Sequence, residues 1–263
     1  MSIAAKGKTA NLEEIMLSKN ERSRVKTLHT QKGRETAQLF IAEGVKLVSE
    51  IMRSNPGSIQ CLYASQEFMG AMDLSGIHHV VVDQDELAAI STQQHPNQVL
   101  AVCHYFKNKT SSFQPQQQVA FYLDDIRDPG NLGTMMRVSD WFGMTTLFCS
   151  PTSCDWYNPK VIQSTMGAFL RVTVVYEELS ALTKQFPNMP VYGAVLNGAD
   201  VYSTPLTPGL LVIGNEAHGI SQNNLQLVSH PLTIPAHTNN GTESLNAAMA
   251  AGIMASEFFR QLR

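Results

Sequence analysis

The sequence predicts an α/β protein, with a C-terminal parallel-sheet domain covered on both faces and a small N-terminal α/β domain. Three observations predict it. Short, continuous apolar runs such as 119–123 (VAFYL) and 210–213 (LLVI) alternate with longer stretches of helical periodicity, the pattern of strands buried between crossover helices. A polar stretch at 107–118 (KNKTSSFQPQQQ), with a Pro and three consecutive Gln, interrupts that alternation. The 263 residues, 43% hydrophobic and 16% charged, suffice for two modest cores and lie far from the composition of a disordered chain. The expected organisation is an N-terminal extension (1–20), the small α/β domain (21–106), a linker (107–118) and the parallel-sheet domain (119–263).

In the first domain, the run at 38–42 (QLFIA) reads as a strand. A helical stretch follows at 44–53, with Val45, Leu47, Val48 and Ile51 apolar. Segments 59–63, 66–72, 79–82, 84–91 and 99–105 continue the alternation. In the second domain, 119–123 is a strand. Residues 131–142 form a helix with Leu132, Met135, Met136 and Val138 on one side, and Asn131 is the expected N-cap. Residues 145–149 are a strand and 159–169 a helix. Segments 171–176, 191–196 and 210–213 are strands. Residues 221–229 form a helix opened by Ser221, 232–234 a short strand, and 244–261 a long final helix rich in Ala and Met, opened by Ser244.

Composition excludes several classes. The sequence holds no run of 18 apolar residues, so no membrane span is expected. Residues 1–10 mix Lys6 and Lys8 with small residues and lack an apolar stretch, so no secretory leader is expected. Cys61, Cys103, Cys149 and Cys154 sit at unrelated spacings, which fits a reduced, cytoplasmic protein better than a disulfide framework. The net charge of −3 hides an asymmetry: residues 1–46 carry nine Lys/Arg against five Asp/Glu, and the remainder ten against seventeen. Lys19, Arg22, Arg24, Lys26, Lys32 and Arg34 lie close together in the basic part. They can neutralise phosphates, or form a solvated helix face.

Ligands of parallel sheets sit at the carboxyl ends of the strands, and three strand ends here are unusual. After Leu123 comes DDIRDPGNLGTMMR (124–137). Pro129, Gly130 and Asn131 make a strand-to-helix turn, whereas Arg137 stands between Met136 and Val138 in an otherwise apolar helix. After Ile213 comes GNEAHGI (214–220), two glycines bracketing Glu216, where the backbone can approach a ligand closely. After the third short strand comes IPAHTNNGTESLN (234–246), a polar loop offering many backbone donors and acceptors to an adenine edge or a carboxylate. Asn246 then sits in what reads as a helix's first turn, although Asn is a mediocre helix former.

Other chemistries are set aside. The chain contains neither G-x-G-x-x-G after a strand, nor G-x-x-x-x-G-K-[ST], nor a G-x-S-x-G elbow. Cys149 and Cys154 lack zinc spacing, and no phosphate-binding partner accompanies Asp124, Asp125 and Asp128 as magnesium ligands, so no metal is expected.

Taken together and in this order, the three segments resemble the SpoU (TrmH-type) RNA 2′-O-ribose methyltransferases of the SPOUT class. The first family motif matches DPGNLGTMMR at 128–137, the second GNEAHG at 214–219, and the third IP at 234–235 followed by SLN at 244–246. Each is weak alone; the ordered set is specific. Residues 40–48 (FIAEGVKLV) and 96–102 (PNQVLAV) resemble the family's RNA substrate-binding domain, so the likeness covers nearly the whole chain from about residue 20.

The resemblance implies a deep trefoil knot in the C-terminal domain, S-adenosylmethionine bound in it, and a homodimer with active sites at the subunit interface. By motif match, Gly214, Glu216, Ile234, Leu245 and Asn246 would hold the cofactor. Asn131, Arg137, Glu216, Ser244 and Asn246 would form the catalytic site. The RNA would meet Arg22, Arg24, Lys26, Lys32 and Arg34, with ribosomal RNA ahead of transfer RNA as substrate. A ribose hydroxyl is a poor nucleophile until its proton leaves, and the family's arginine at Arg137 is proposed to assist. Because a guanidinium stays protonated, positioning and charge stabilisation suit it better than the role of base. The loop of the third motif departs from the family pattern: Ala236 follows Pro235 where Met is usual, and residues 237–240 form what reads as a two-residue extension. Two alternatives stand beside this reading. One is a non-catalytic RNA-binding protein on a SPOUT fold, disfavoured by intact Arg137, Ser244 and Asn246. The other is a base-specific SPOUT enzyme, disfavoured by the ordered motifs.

Overall fold

The computed structural model describes residues 17–106, 113–237 and 244–263; the expected extension up to residue 16, positions 107–112 of the expected linker and positions 238–243 of the third-motif loop lie outside them. From Leu17 the chain forms two short helices, α1 (Lys19–Thr27) and α2 (Gln31–Ala37). Each has a hydroxyl cap: Ser18 accepts from the Glu21 amide at 3.2 Å and Thr30 from the Gly33 amide at 3.1 Å. Then follow β1 (Leu39–Glu43), α3 (Val45–Ser54), β2 (Ile59–Ala64), α4 (Gln66–Ala71), β3 (His79–Val81), α5 (Gln84–Ile90) and β4 (Val99–His104). The strands pair in the order β1-β4-β2-β3, with β4 antiparallel to β1 and β2, and β3 parallel to β2.

Alternation along these strands sorts the side chains by face. Leu39, Ile41, Cys61, Tyr63, Leu100 and Val102 pack with Val25 and Leu28 of α1 and its turn, and with Leu87 and Ile90 of α5. Phe40, Ala42, Leu62, Ala64, Ala101 and Cys103 pack with Leu47, Val48 and Ile51 of α3. Both faces are covered, which is why the strands read as unbroken apolar runs.

The second half comprises β5 (Val119–Leu123), α6 (Pro129–Trp141), β6 (Thr146–Cys149), α7 (Pro159–Thr165), β7 (Thr173–Tyr176), α8 (Leu179–Gln185), β8 (Val191–Asp200), β9 (Gly209–Ile213), α9 (Gln222–Leu225), β10 (His230–Thr233) and α10 (Ala247–Leu262). Its six strands pair in the order β10-β8-β9-β5-β6-β7, each neighbouring pair parallel. One face carries Phe121, Leu123, Leu147, Cys149, Leu211 and Ile213 against Leu132, Met135 and Met136 of α6 and Ala251, Met254 and Phe258 of α10. The other carries Ala120, Tyr122, Phe148, Leu210 and Val212 against Leu179 and Leu182 of α8 and against Ile220. This is the expected α/β class with a C-terminal parallel sheet.

The two sheets share one continuous core. Phe40 of β1 meets Phe106, Tyr157 and Phe169 at ring-centroid distances of 5.6, 5.0 and 5.9 Å, and Tyr105 stacks on Tyr157 at 3.7 Å. Each such pair contributes about 0.5–1.5 kcal/mol beyond its buried area. Charged links flank this seam: Arg34 to Asp155 at 2.7 Å, and Arg171 to both Glu50 (2.5 Å) and Asp140 (2.7 Å).

Several expected boundaries move, for physical reasons. The helix expected from Asn131 begins at Pro129, because Pro suits the first helical position and Asp128 supplies the cap, accepting from the Asn131 amide at 2.8 Å. The final helix begins at Ala247 rather than Ser244. Its cap is Asn246, whose side-chain oxygen accepts from the Ala248 and Met249 amides at 2.9 and 3.2 Å. Ser221 precedes α9 without a side-chain cap bond, its amide donating instead to Asp124 Oδ2 at 2.7 Å. The helix expected over 159–169 stops at Thr165, where Met166 (φ 50°) and Gly167 (φ 94°) turn left-handed. Helices α1, α2 and α8 were not anticipated as separate elements.

The C-terminal end of α10 is tied down by Glu257, Arg260 and Gln261. Gln261 accepts from the Leu206 amide at 2.9 Å and donates to Glu257 at 2.7 Å. The Arg260 guanidinium, with the Gln261 amide, holds the Glu257 carboxyl down to about 2. A carboxylate depressed in the folded state stabilises fully above its unfolded value, near 4.5 here, and loses that contribution as pH falls toward 2. Glu257→Gln is therefore expected to flatten the acid limb of a melting-temperature-versus-pH curve in that window. Superimposable limbs for variant and wild type would show that the pair contributes nothing.

Candidate active site

Because all strands of the second sheet run the same way, their carboxyl ends open on one edge, and the three singled-out loops leave from that edge. After β5, Asp124 is buried and receives the Ser221 amide, while Asp125 turns left-handed (φ 56°). After β9, Asn215 closes a small loop on itself, exchanging backbone hydrogen bonds with Gly219 at 2.9 Å and accepting on its side-chain oxygen from Ala217 (2.9 Å) and His218 (3.2 Å). The Asn215 amide nitrogen donates to the Asp125 carbonyl at 2.8 Å and thereby fastens the second loop to the first. Gly214 permits this fold-back, since a Cβ there would lie 2.2 Å from the Gly219 carbonyl carbon.

These fastenings bring three expected site residues together. Asn131 Nδ2 donates to Glu216 Oε1 at 2.7 Å, and Asn246 Nδ2 donates to Asn131 Oδ1 at 3.0 Å. Asn131 can reach across because Asp128, not Asn131, caps α6. Asn246 spends its oxygen on the N-terminus of α10 and its nitrogen on Asn131. One hydrogen-bonded chain thus joins the loop after β9, the first turn of α6 and the start of α10. Glu216 and Asn246 are exposed and Asn131 is half-buried.

Other expected residues stand apart from that chain. Ser244 and Leu245 are exposed, just upstream of Asn246. Arg137 is exposed on α6, six residues from Asn131, which places it about 9 Å further along the helix axis and on a different face. It makes no hydrogen bond or ion pair among the described residues. Of the expected RNA contacts, Arg24, Lys26 and Lys32 are exposed and Arg22 is half-buried. Arg34 departs from that expectation: it is 1% exposed, and its guanidinium pairs with Asp155 and donates to the Leu28 and His29 carbonyls, so burial keeps it from any phosphate.

Beside the Asn131–Glu216 pair lies a cleft of about 490 Å³ lined by Arg127, Asp128, Pro129, Asn215, Glu216, Ala217 and His218. A larger, shallower depression, about 650 Å³ over residues such as Met72, Asp73 and His78, lies in the first half, away from these groups. Burial, with Asp155 and Asp128 nearby, raises the Cys154 thiol to about 12, so it stays protonated and is no nucleophile.

The cofactor candidates occupy the same edge. Ile234 follows β10 and packs against the core. Next to it is a feature the sequence reading missed. The register of β10 against β8 jumps from Pro231 opposite Gly193 to Leu232 opposite Ala199, so residues 194–198 of β8 bulge out of register. Thr233 Oγ1 donates to the Leu196 carbonyl at 3.0 Å, and Leu196 is itself 69% exposed. The one available signal was Asn197-Gly198, a turn dipeptide at the end of an apolar run. Leu196 and Leu245 are both exposed, and Ile234 is half-buried.

The all-parallel sheet thus gathers a carboxylate, two asparagines and glycine-bounded loops at its carboxyl edge, beside a second α/β unit. The SpoU rRNA Methylase family model matches residues 118–256, and an MRM3-like substrate binding domain model matches residues 22–101. The chain belongs to the SpoU rRNA methylase family. It is 30% identical over 249 residues to the 23S rRNA (guanosine(2553)-2′-O)-methyltransferase RlmP of Bacillus subtilis, covering 92% of this chain and 98% of that one. Among solved structures, a chain assigned to the TrmH family from Porphyromonas gingivalis is similar with TM-score 0.80 and 33% identity, over 94% of this chain and 99% of that one. A Sinorhizobium meliloti rRNA methyltransferase bound to S-adenosylmethionine shares the fold, with TM-score 0.79 and 24% identity over 92% and 95% of the two chains.

Proposed function

We propose that this chain methylates a ribose 2′-hydroxyl of ribosomal RNA, with S-adenosylmethionine as donor. The observation that carries the reading is the hydrogen-bonded chain Glu216–Asn131–Asn246, which unites all three family motifs at the edge where the donor would lie. The sulfonium supplies an activated methyl group, so no metal is required. When bound, the donor would give its methyl to the ribose oxygen and leave as the neutral thioether, the hydroxyl proton passing to water. Asn131 and Asn246 orient the hydroxyl, Glu216 fixes Asn131, and Ser244 stands ready as a further hydrogen-bonding group. Arg137 stabilises the developing oxygen charge and holds the neighbouring phosphate. Gly214, Glu216, Ile234, Leu245 and Asn246 surround the donor, joined by Leu196 and Gly198 of the bulge.

We read the protein as a homodimer. Arg137 lies outside its own chain's Asn131 network, and one turn beyond it Trp141 is 83% exposed, with Met249 of α10 61% exposed. Exposed apolar groups of that size favour a second copy that brings Arg137 to a shared site. We read the loops after β8, β9 and β10 as the family's deep trefoil. Close packing of β8 on β10 supports this: a Cβ on Gly198 would lie 2.7 Å from the Leu232 carbonyl carbon. The first half recognises RNA through Arg22, Arg24, Lys26 and Lys32, ribosomal RNA ahead of transfer RNA. Among the described residues no helix is long and apolar enough to cross a membrane. The four free cysteines favour a cytoplasmic setting.

The test is transfer of labelled methyl from S-adenosylmethionine to ribosomal RNA extracted from cells lacking this protein, followed by digestion to nucleosides. Label is expected in a 2′-O-methylnucleoside. Label in a methylated base would replace ribose by base specificity. RNA binding without label on any RNA would leave a non-catalytic RNA-binding protein.

A further inference from the structure

Arg34 is the most completely enclosed cation among the described residues, and it lies where the two halves meet. Its Nε and Nη2 donate to Asp155 Oδ2 at 3.0 and 2.7 Å, and its Nη1 donates to the carbonyls of Leu28 and His29 at 2.9 and 3.1 Å. Those carbonyls belong to the turn between α1 and α2, so the guanidinium grips the C-terminal end of the basic helix. Asp155 belongs to the 150–157 loop after β6, which underlies the first motif. There the Cys154 amide donates to the Ile126 carbonyl at 2.9 Å, Ser153 Oγ accepts from the Ile126 amide at 3.3 Å, and Ser150 Oγ accepts from the Asp125 amide at 2.9 Å. Asp125 in turn receives Asn215, whose neighbour is Glu216. Hydrogen bonds and short stretches of chain therefore link the basic helix to the candidate site.

We propose that the Arg34–Asp155 pair is a positioning device that fixes helix α1, with its exposed Arg24 and Lys26, at a set place relative to the active site, so that RNA held on α1 presents its ribose there. This rests on the reading of α1 as an RNA contact. The chemistry suits the task. A planar guanidinium with its donors engaged on three different groups fixes direction as well as distance, which an ammonium does not. Enclosure keeps the pair from the salt screening that weakens exposed charges, so the placement survives physiological ionic strength. Arg34 itself touches no RNA.

The test is a double-mutant cycle on the full-length protein, read as KM for ribosomal RNA from cells lacking it and as retention of the same RNA in a gel-shift assay. R24A/K26A is expected to raise KM on the order of tenfold by removing two phosphate contacts. D155N, which is isosteric, should raise KM comparably while S-adenosylmethionine affinity stays at the wild-type value. In the D155N background, R24A/K26A should then add less than about twofold, because α1 is no longer held in register. R34K should behave as D155N does, and serves as the second variant if D155N fails to fold. Independent, multiplying effects would overturn the proposal, since a merely structural pair lowers stability without coupling to α1. An R24A/K26A variant with unchanged KM and retention would also overturn it. Should wild type transfer no methyl, the gel-shift cycle still decides the coupling, and the failure belongs to the catalytic reading alone.

Discussion

Replacing Arg137 by Ala is expected to lower methyl transfer by roughly 10³-fold while leaving S-adenosylmethionine affinity within about twofold of wild type. The expectation rests on how the chain uses its arginines. Arg34, Arg127, Arg171 and Arg260 are each committed to a carboxylate. Arg137 is exposed, has no such partner among the described residues, and stands on α6 next to buried Met136. Loss of its side chain leaves the Glu216–Asn131–Asn246 chain and the cofactor loops intact, so binding and turnover should separate. Single-turnover rates with labelled donor, beside calorimetric titration of the donor, read the two quantities. Arg137→Lys should recover part of the rate, because charge remains but the planar fork is lost. Near-normal turnover of Arg137→Ala would remove this residue from the mechanism.

Asn246 gives the second large effect, and its two hydrogen-bonding ends can be separated. The oxygen caps α10 and the nitrogen holds Asn131. Asn246→Ala removes both, so it should cost about 1 kcal/mol of stability and on the order of 10²-fold in rate through misplacement of Asn131. Asn246→Asp keeps an oxygen for the cap but loses the donor and sets a carboxylate against Asn131 Oδ1. It should melt near wild type and still lose the rate. An Asp variant with both stability and turnover preserved would reduce Asn246 to a helix cap.

The strands of both halves were legible because burial on both faces makes them continuous apolar runs, as 119–123 and 210–213 show. The helix at Asp128-Pro129-Gly130-Asn131 was legible from turn chemistry, but its cap was assigned to the wrong residue. Several short polar residues in a row each satisfy the capping preference, and only the packed structure selects Asp128. The same competition occurs at Ser244 and Asn246, and it bears on the site, since a residue released from capping is available elsewhere. Arg34 was unreadable for a different reason. Its local neighbours are polar or small and mostly exposed, whereas the carboxylate it pairs with, Asp155, lies 121 residues downstream. The bulge at 194–198 was missed because a run beginning Val191-Tyr192 reads as an ordinary strand, and its distortion arises from the register of β10.

The ring cluster at the meeting of the two sheets bears on what the polypeptide connection between them is for. Phe40, Tyr105 and Phe106 from one side interlock with Tyr157 and Phe169 from the other, and the Phe106 amide donates to the Tyr157 hydroxyl at 2.8 Å. That seam and the ion pairs beside it hold the halves to one another without a covalent bond, so each half carries a surface complementary to the other.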